Sequence, residues 1–212
     1  MTKNEQQIKE YICQIGERIY DRQYVAANDG NISVKLSENE IIITPTGVSK
    51  GFMTPDMLIK VDKYGNVIEG DLDPSSETKM HLQVYEEQPD IGAVVHAHPP
   101  YATSFAVAGQ PLDEKILPEA VILLGTVPVA EYGTPSTKEI PEAVKPYLED
   151  NSAVLLENHG VLTWGTDLKE AHFRLESLEL YAKVAKLSKS LPGEKELSDE
   201  NVERLIQLRE EL

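Results

Sequence analysis

The 212-residue chain carries 20 Lys+Arg against 36 Asp+Glu, a formal net charge of −16, with 41% hydrophobic and 26% charged residues. These globular proportions exclude wholesale disorder. The acidic excess argues against non-specific nucleic-acid or anionic-membrane binding, which needs a basic face, whereas a small anionic ligand is admissible if local groups hold it against the bulk field.

A chain of this length can bury roughly 70% of its unfolded surface in one core. No repeat or linker divides it, so a single domain over 1–212 is expected, with a helical tail over about 194–212. Cys13 is the only cysteine, so no intrachain disulfide framework exists. Met1–Glu10 is polar and lacks a signal peptide's apolar core. The longest apolar stretch, Ala120–Ala130, is interrupted by Gly125, Thr126 and Pro128 and falls short of the roughly 20 residues of a membrane span. A cytoplasmic protein is expected.

Ile8, Ile12, Ile15 and Ile19 mark one face of an opening helix over about Asn4–Asp21. After the turn Asn28-Asp29-Gly30-Asn31, alternating Ile32, Val34 and Leu36 predict a half-buried strand, and Ile41–Ile43 a second that completes a hairpin. Thr44-Pro45-Thr46-Gly47 breaks the pattern and Thr54-Pro55-Asp56 reads as a short helix start. Ile59–Val61 and Val67–Ile68 flank a second hairpin turn. Pro74-Ser75-Ser76 opens a helix to about Glu87, with Ser75 or Ser76 as N-cap and Glu77 in its first turn. Ile91–His98 predicts an apolar strand and Tyr101–Val107 a helix. Strands are expected at Val121–Leu124 and Val127–Val129, and a helix over Thr137–Leu148. Ala153–Leu156 and Val161–Thr163 flank a tight Asn158-His159-Gly160 segment. Asp167 caps a long helix to about Ser190, and Ser198 or Asp199 starts a last short one. Hairpins mixed with helices argue for a mainly antiparallel sheet covered by helices.

His96 and His98, at i and i+2 near a strand end, project from one face. Both imidazoles reach one metal there, though such a pair equally fits ordinary hydrogen bonding. His159, in a tight turn between apolar strands, adds a third candidate. Three ligands with an open position are what a catalytic divalent metal requires. Glu77 adds a carboxylate at a helix N-terminus, a position also explained by the helix dipole. Ser75 and Ser76 offer hydroxyls beside free N–H groups, which suits either capping or a phosphate. The turns at Asp29-Gly30-Asn31 and Thr46-Gly47 have groups to lend the same anion. Lys50 either adds positive charge or is solvated, and Tyr132 reads as loop packing or a substrate contact. His81 and His172, inside helices, read as structural.

With Gly30-Asn31-Ile32-Ser33, Ile43-Thr44-Pro45-Thr46-Gly47, Pro74-Ser75-Ser76-Glu77, Val95-His96-Ala97-His98 and Asn158-His159-Gly160 in this order, the sequence resembles the class II aldolase/adducin-head family from its opening helix to about Ser190. The resemblance implies an α/β fold, a three-layer α/β/α sandwich with a mainly antiparallel central sheet, in a homotetramer with sites at subunit interfaces. It implies one divalent metal ion per subunit, usually Zn2+, on His96, His98 and His159, with Glu77 as acid/base residue and further ligand. Asn31, Thr46, Gly47, Ser75 and Ser76 would hold the substrate phosphate. The implied activity is reversible cleavage of a short ketose 1-phosphate, of the L-fuculose 1-phosphate kind, to dihydroxyacetone phosphate and an aldehyde. Family aldolases carry Glu after Pro-Ser-Ser and the 4-epimerases Asp, so Glu77 favours the aldolase. One departure is that no tyrosine occurs between Tyr101 and Tyr132, where the aldolases place one near the segment matching Leu117–Ala120; Glu119 or a tyrosine from elsewhere would have to replace it. A 4-epimerase or a 3-oxo sugar-acid phosphate decarboxylase of the same family, or a non-catalytic scaffold like the adducin head, are the alternatives.

Overall fold

The computed structural model describes residues 3–193 and 195–211. Residues 1, 2, 194 and 212, within the expected polar N-terminus and C-terminal tail, lie outside the described residues. The opening isoleucines do form one buried face: Ile12, Ile15 and Ile19 of α1 (Lys3–Asp21) press on the sheet.

The sheet comprises β1 (Asn31–Ser37), β2 (Glu40–Ile43), β3 (Ile59–Val61), β4 (Val67–Glu69), β5 (Ala93–Ala97), β6 (Val129–Ala130), β7 (Ala153–Leu156) and β8 (Gly160–Gly165), in the order β4-β3-β2-β1-β5-β8-β7-β6. Every pairing is antiparallel except β6 with β7. Both faces are covered, and the strands alternate between two cores as period-2 geometry demands. Ile42, Val95, Leu155 and Val161 face α1, α3 (Pro100–Val107), α4 (Pro118–Leu123) and α6 (Leu168–Ser188). Ile41, Ile43, Val94, Val154, Leu162 and Trp164 face α2 (Thr78–Glu87) and α5 (Glu139–Val144). This is the expected α/β/α sandwich. The final helix, α7 (Asp199–Glu211), lies against α4, and no helix among the described residues is long and apolar enough to cross a membrane.

Three local expectations are corrected. Val121–Leu124 is not a strand, since Val121–Leu123 ends α4. Pro118 at the first helical position starts it and Gly125, at φ +68°, stops it; a four-residue apolar run cannot by itself separate strand from helix. The expected strand Val127–Val129 shrinks to a bridge at Val127 and to β6. The helix expected from Thr137 to Leu148 becomes α5 plus a 3-10 turn at Lys145–Tyr147, where Pro146 supplies no N–H to an α-helical ladder.

Candidate active site

The strand register brings the candidate residues together. His96 of β5 lies opposite Asn31 of β1 on one side and Leu162 of β8 on the other. It shares the α2-facing side of the sheet with Val94. β5 ends at Ala97, one residue short of the expected limit, and the His98 N–H donates to Tyr24 O (2.8 Å). The β7–β8 hairpin turns at Glu157–His159, with Asn158 in the left-handed region (φ +55°), and so returns His159 to the same sheet end. Gly160 makes room, because a Cβ there would lie 2.4 Å from His98 Cδ2 and 2.6 Å from Ala97 O.

The three rings form a triangle with centroids 4.7–5.0 Å apart. One nitrogen from each lies within 4.8 Å of the others. His96 Nδ1–H donates to Val161 O (2.9 Å), leaving the Nε2 lone pair directed into the cluster. His98 Nδ1 lies 3.6 Å from Asp29 Oδ2, and its Nε2 is 3.0 Å from His96 Nε2. With Nδ1–H turned toward Asp29, two Nε2 lone pairs meet head-on, an arrangement that a divalent cation between them would relieve. Burial first, then the neighbouring His98 and His159, holds His96 well below the ordinary imidazole range. Burial first, then His159, lowers His98, while Asp29 and Glu77 oppose the shift. Neutral imidazoles are the form that binds a metal.

Glu77 completes the cluster. Its Oε2 is 3.2 Å from His96 Nε2 and accepts from Asn31 Nδ2 (2.9 Å); its Oε1 is 3.5 Å from His159 Nε2. Oε1, like His159 Nδ1, is buried and has no hydrogen-bond partner. An orphaned buried carboxylate oxygen is costly, and a divalent cation held among these donors would satisfy Oε1, which lies 3.5 Å from His159 Nε2.

Glu77, not a serine, is the N-cap of α2. Ser75 precedes the cap: its N–H donates to Thr44 O (3.1 Å), its carbonyl accepts from Thr78 N (3.0 Å) and its hydroxyl accepts from Glu77 N (3.3 Å), which leaves the hydroxyl proton to donate. A bridge between Pro45 and Pro74 and the bond from Thr46 N to Asp73 O (3.0 Å) seat the Thr46-Gly47 turn beside Ser75-Ser76. Thr46, Gly47 and Ser76 are exposed and Ser75 is buried; Gly47 takes φ +72°, which favours glycine.

Lys50 is not solvated. It is buried, and its ammonium donates to Val48 O (2.7 Å) and Asn28 O (3.2 Å), tying the two polar turns together. Burial lowers its pKa to about 8, against the pull of Asp29. Only residue-by-residue contacts identify this clamp, because a lone lysine after a turn gives no sequence signal. Tyr132 is 54% exposed, with its N–H donating to Glu157 Oε2 (2.9 Å). Glu119 is exposed on α4. His172 is buried in α6, 3.6 Å from Glu176 Oε1.

Comparison with known proteins identifies the family. The Class II Aldolase and Adducin N-terminal domain matches residues 10–185. An L-fuculose phosphate aldolase of Methanococcus vannielii is 40% identical over 177 residues, covering 84% of this chain and 94% of that protein. A 3-oxo-tetronate 4-phosphate decarboxylase of Haemophilus influenzae is 36% identical over 192 residues, covering 88% and 89%. Among solved structures, an L-fuculose 1-phosphate aldolase superposes with a TM-score of 0.89 at 32% identity, covering 99% of this chain and 98% of the other. The chain belongs to the class II aldolase and adducin N-terminal domain family.

Proposed function

We propose that the chain is a metal-dependent aldolase that cleaves a short ketose 1-phosphate, of the L-fuculose 1-phosphate kind, reversibly to dihydroxyacetone phosphate and a small aldehyde. The observation that carries this reading is the clustering of His96, His98 and His159 nitrogens within 4.8 Å of one another beside the Glu77 carboxylate, whose Oε2 lies 3.2 Å from His96 Nε2 and whose Oε1 lies 3.5 Å from His159 Nε2. His96, His98 and His159 hold one divalent cation, Zn2+ by the nitrogen-rich donor set, with Glu77 as a further ligand when substrate is absent. Such a cation supplies Lewis-acid stabilisation of negative charge developing on the substrate oxygens. Glu77 moves a proton to and from the carbon next to the ketone, a task for which its buried oxygen is placed without competing donors. Ser75, Ser76, Thr46, Gly47 and Asn31 hold the phosphate through hydroxyls, amide and turn N–H groups, fixing the substrate's orientation. The working form is a homotetramer, which sedimentation would check.

The test is cleavage of L-fuculose 1-phosphate by protein carrying Zn2+, with dihydroxyacetone phosphate as readout. Chelation abolishes turnover, and Glu77→Gln lowers kcat by about 10²–10⁴-fold with an unchanged circular-dichroism spectrum. Undiminished cleavage by metal-free protein, or wild-type kcat in the variant, would refute the reading. A decarboxylase is the second reading, favoured by the 36% identity to the Haemophilus influenzae protein. Release of CO2 from 3-oxo-tetronate 4-phosphate, without aldehyde from the ketose 1-phosphate, would select it.

A further inference from the structure

Behind the site, α2 and β1 share a buried polar ladder. Glu77, His81 and Tyr85 recur every four residues along α2 and its cap, forming one stripe. Asn31 and Ser33 recur every two residues on β1, facing the same way. Four residues of helix rise about 6 Å and two of strand about 6.7 Å, so the two sets interleave. Asn31 Nδ2 donates to Glu77 Oε2 (2.9 Å), His81 Nε2 meets Asn31 Oδ1 (2.6 Å), His81 Nδ1 meets Ser33 Oγ (2.6 Å), and Ser33 Oγ meets the Tyr85 hydroxyl (2.7 Å). Asn31, Ser33, His81 and Tyr85 are all buried.

The chain of bonds has a single consistent direction. An ionised carboxylate only accepts, so Asn31 turns its NH2 to Glu77 and its oxygen to His81. That oxygen also only accepts, so His81 carries its proton on Nε2. Burial lowers His81 to about 4, so the ring is neutral and Nδ1 must accept. Ser33 therefore donates to His81 and accepts from Tyr85. The opposite amide orientation would set two acceptors against each other at 2.9 Å.

We propose that His81 is a positioning residue for the acid/base step: by fixing the Asn31 amide it pins Glu77 through Oε2 and leaves Oε1 as the oxygen that moves the proton. The proposal rests on the aldolase reading above. It separates the two oxygens of one carboxylate by their partners, since Oε2 is held by a donor and Oε1 has none. A histidine serving only to fill the core would need no particular tautomer.

The test has two arms. In metal-free wild-type protein, long-range nitrogen–proton NMR of the imidazole should show His81 as the neutral Nε2–H tautomer from pH 5 to 8; an Nδ1–H tautomer, or protonation in that range, would overturn the proposal. In Zn2+-loaded protein, His81→Phe keeps bulk but removes the donor, and kcat should fall about 10–100-fold, the usual cost of losing such a supporting partner, with bound Zn2+ unchanged. His81→Gln, which keeps a donor near the Nε2 position, should recover most of that loss. Ser33→Ala should lower kcat less than His81→Phe. Wild-type kcat in His81→Phe, or no rescue by His81→Gln when both variants fold, would sink the positioning role while leaving the aldolase standing. An inactive wild type would instead fell the aldolase reading, and this proposal with it.

Discussion

Gly160→Ala should damage the proposed metal site and, to a measurable degree, the stability of the sheet end. Gly160 does not sit at positive φ, so alanine meets no backbone penalty and the perturbation is steric. The new Cβ would lie 2.4 Å from His98 Cδ2, 2.6 Å from Ala97 O and 3.3 Å from His96 Cε1. Carbon atoms sit comfortably at about 3.5 Å or more, so the His98 ring must retreat by about 1 Å. Ala97 O is backbone in a paired strand, with Ala97 opposite Val161, and cannot retreat without opening the sheet end. The overpacking should cost about 1–3 kcal/mol of stability. Ligand distances tolerate only about 0.2 Å, so a displaced His98 should weaken Zn2+ binding by at least 10-fold, comparable to losing a supporting partner. Chelator competition measures the affinity, and melting of the metal-free protein measures the stability separately. Zn2+ affinity within twofold of wild type would show that the cluster does not need the space glycine provides, and would refute this account of the hairpin.

Three further outcomes follow from the same contacts. Lys50 has a native pKa of about 8 against an ordinary 10.5, so above pH 8 the unfolded chain binds more protons and stability rises with pH. Relative to Lys50→Met, wild type should gain up to about 1.4 kcal/mol per pH unit between pH 8 and 10; parallel urea-unfolding stabilities across that range would contradict it. The Asp167 side chain accepts from Glu170 N (2.8 Å) at the start of α6, so Asp167→Ala should cost about 1 kcal/mol, or about 2–4 °C in Tm, and an unchanged Tm would count against the cap. Ser75→Ala should weaken competitive inhibition by inorganic phosphate by about 10-fold or more, the scale of one hydrogen bond to a charged group, without lowering kcat at saturating substrate; an unaltered inhibition constant would remove Ser75 from the phosphate site.

What the sequence discloses divides along physical lines. Periodicity exposed α1, the β1–β2 hairpin and α6, because each buries one face against a core and the pattern carries that burial. It misled at Val121–Leu124, where the run is too short to show a period and the information lay in Pro118 and Gly125. The histidines at strand ends stood out as a candidate cluster because a metal site would restrict residue type and spacing, and the sheet register does bring the three rings together. The ladder was not. Glu77-x3-His81-x3-Tyr85 and Asn31-x-Ser33 are ordinary spacings taken separately, and they acquire meaning only when α2 lies across β1, a pairing between residues 46 apart.

Lys50 carries the same point into electrostatics. The −16 net charge makes an anionic substrate look disfavoured, yet a field summed over the surface is screened within about 10 Å at ordinary ionic strength, whereas a buried charge is screened far less. Lys50 lies beneath the two turns, bonded to Asn28 O and Val48 O, and places a cation under Gly30-Asn31 and Thr46-Gly47. One lysine thus does a job that surface charge cannot: it bridges the segments that carry the two turns through Asn28 O and Val48 O. Its depressed pKa is the cost of that position, since the burial that strengthens its field on the turns also penalises its charge.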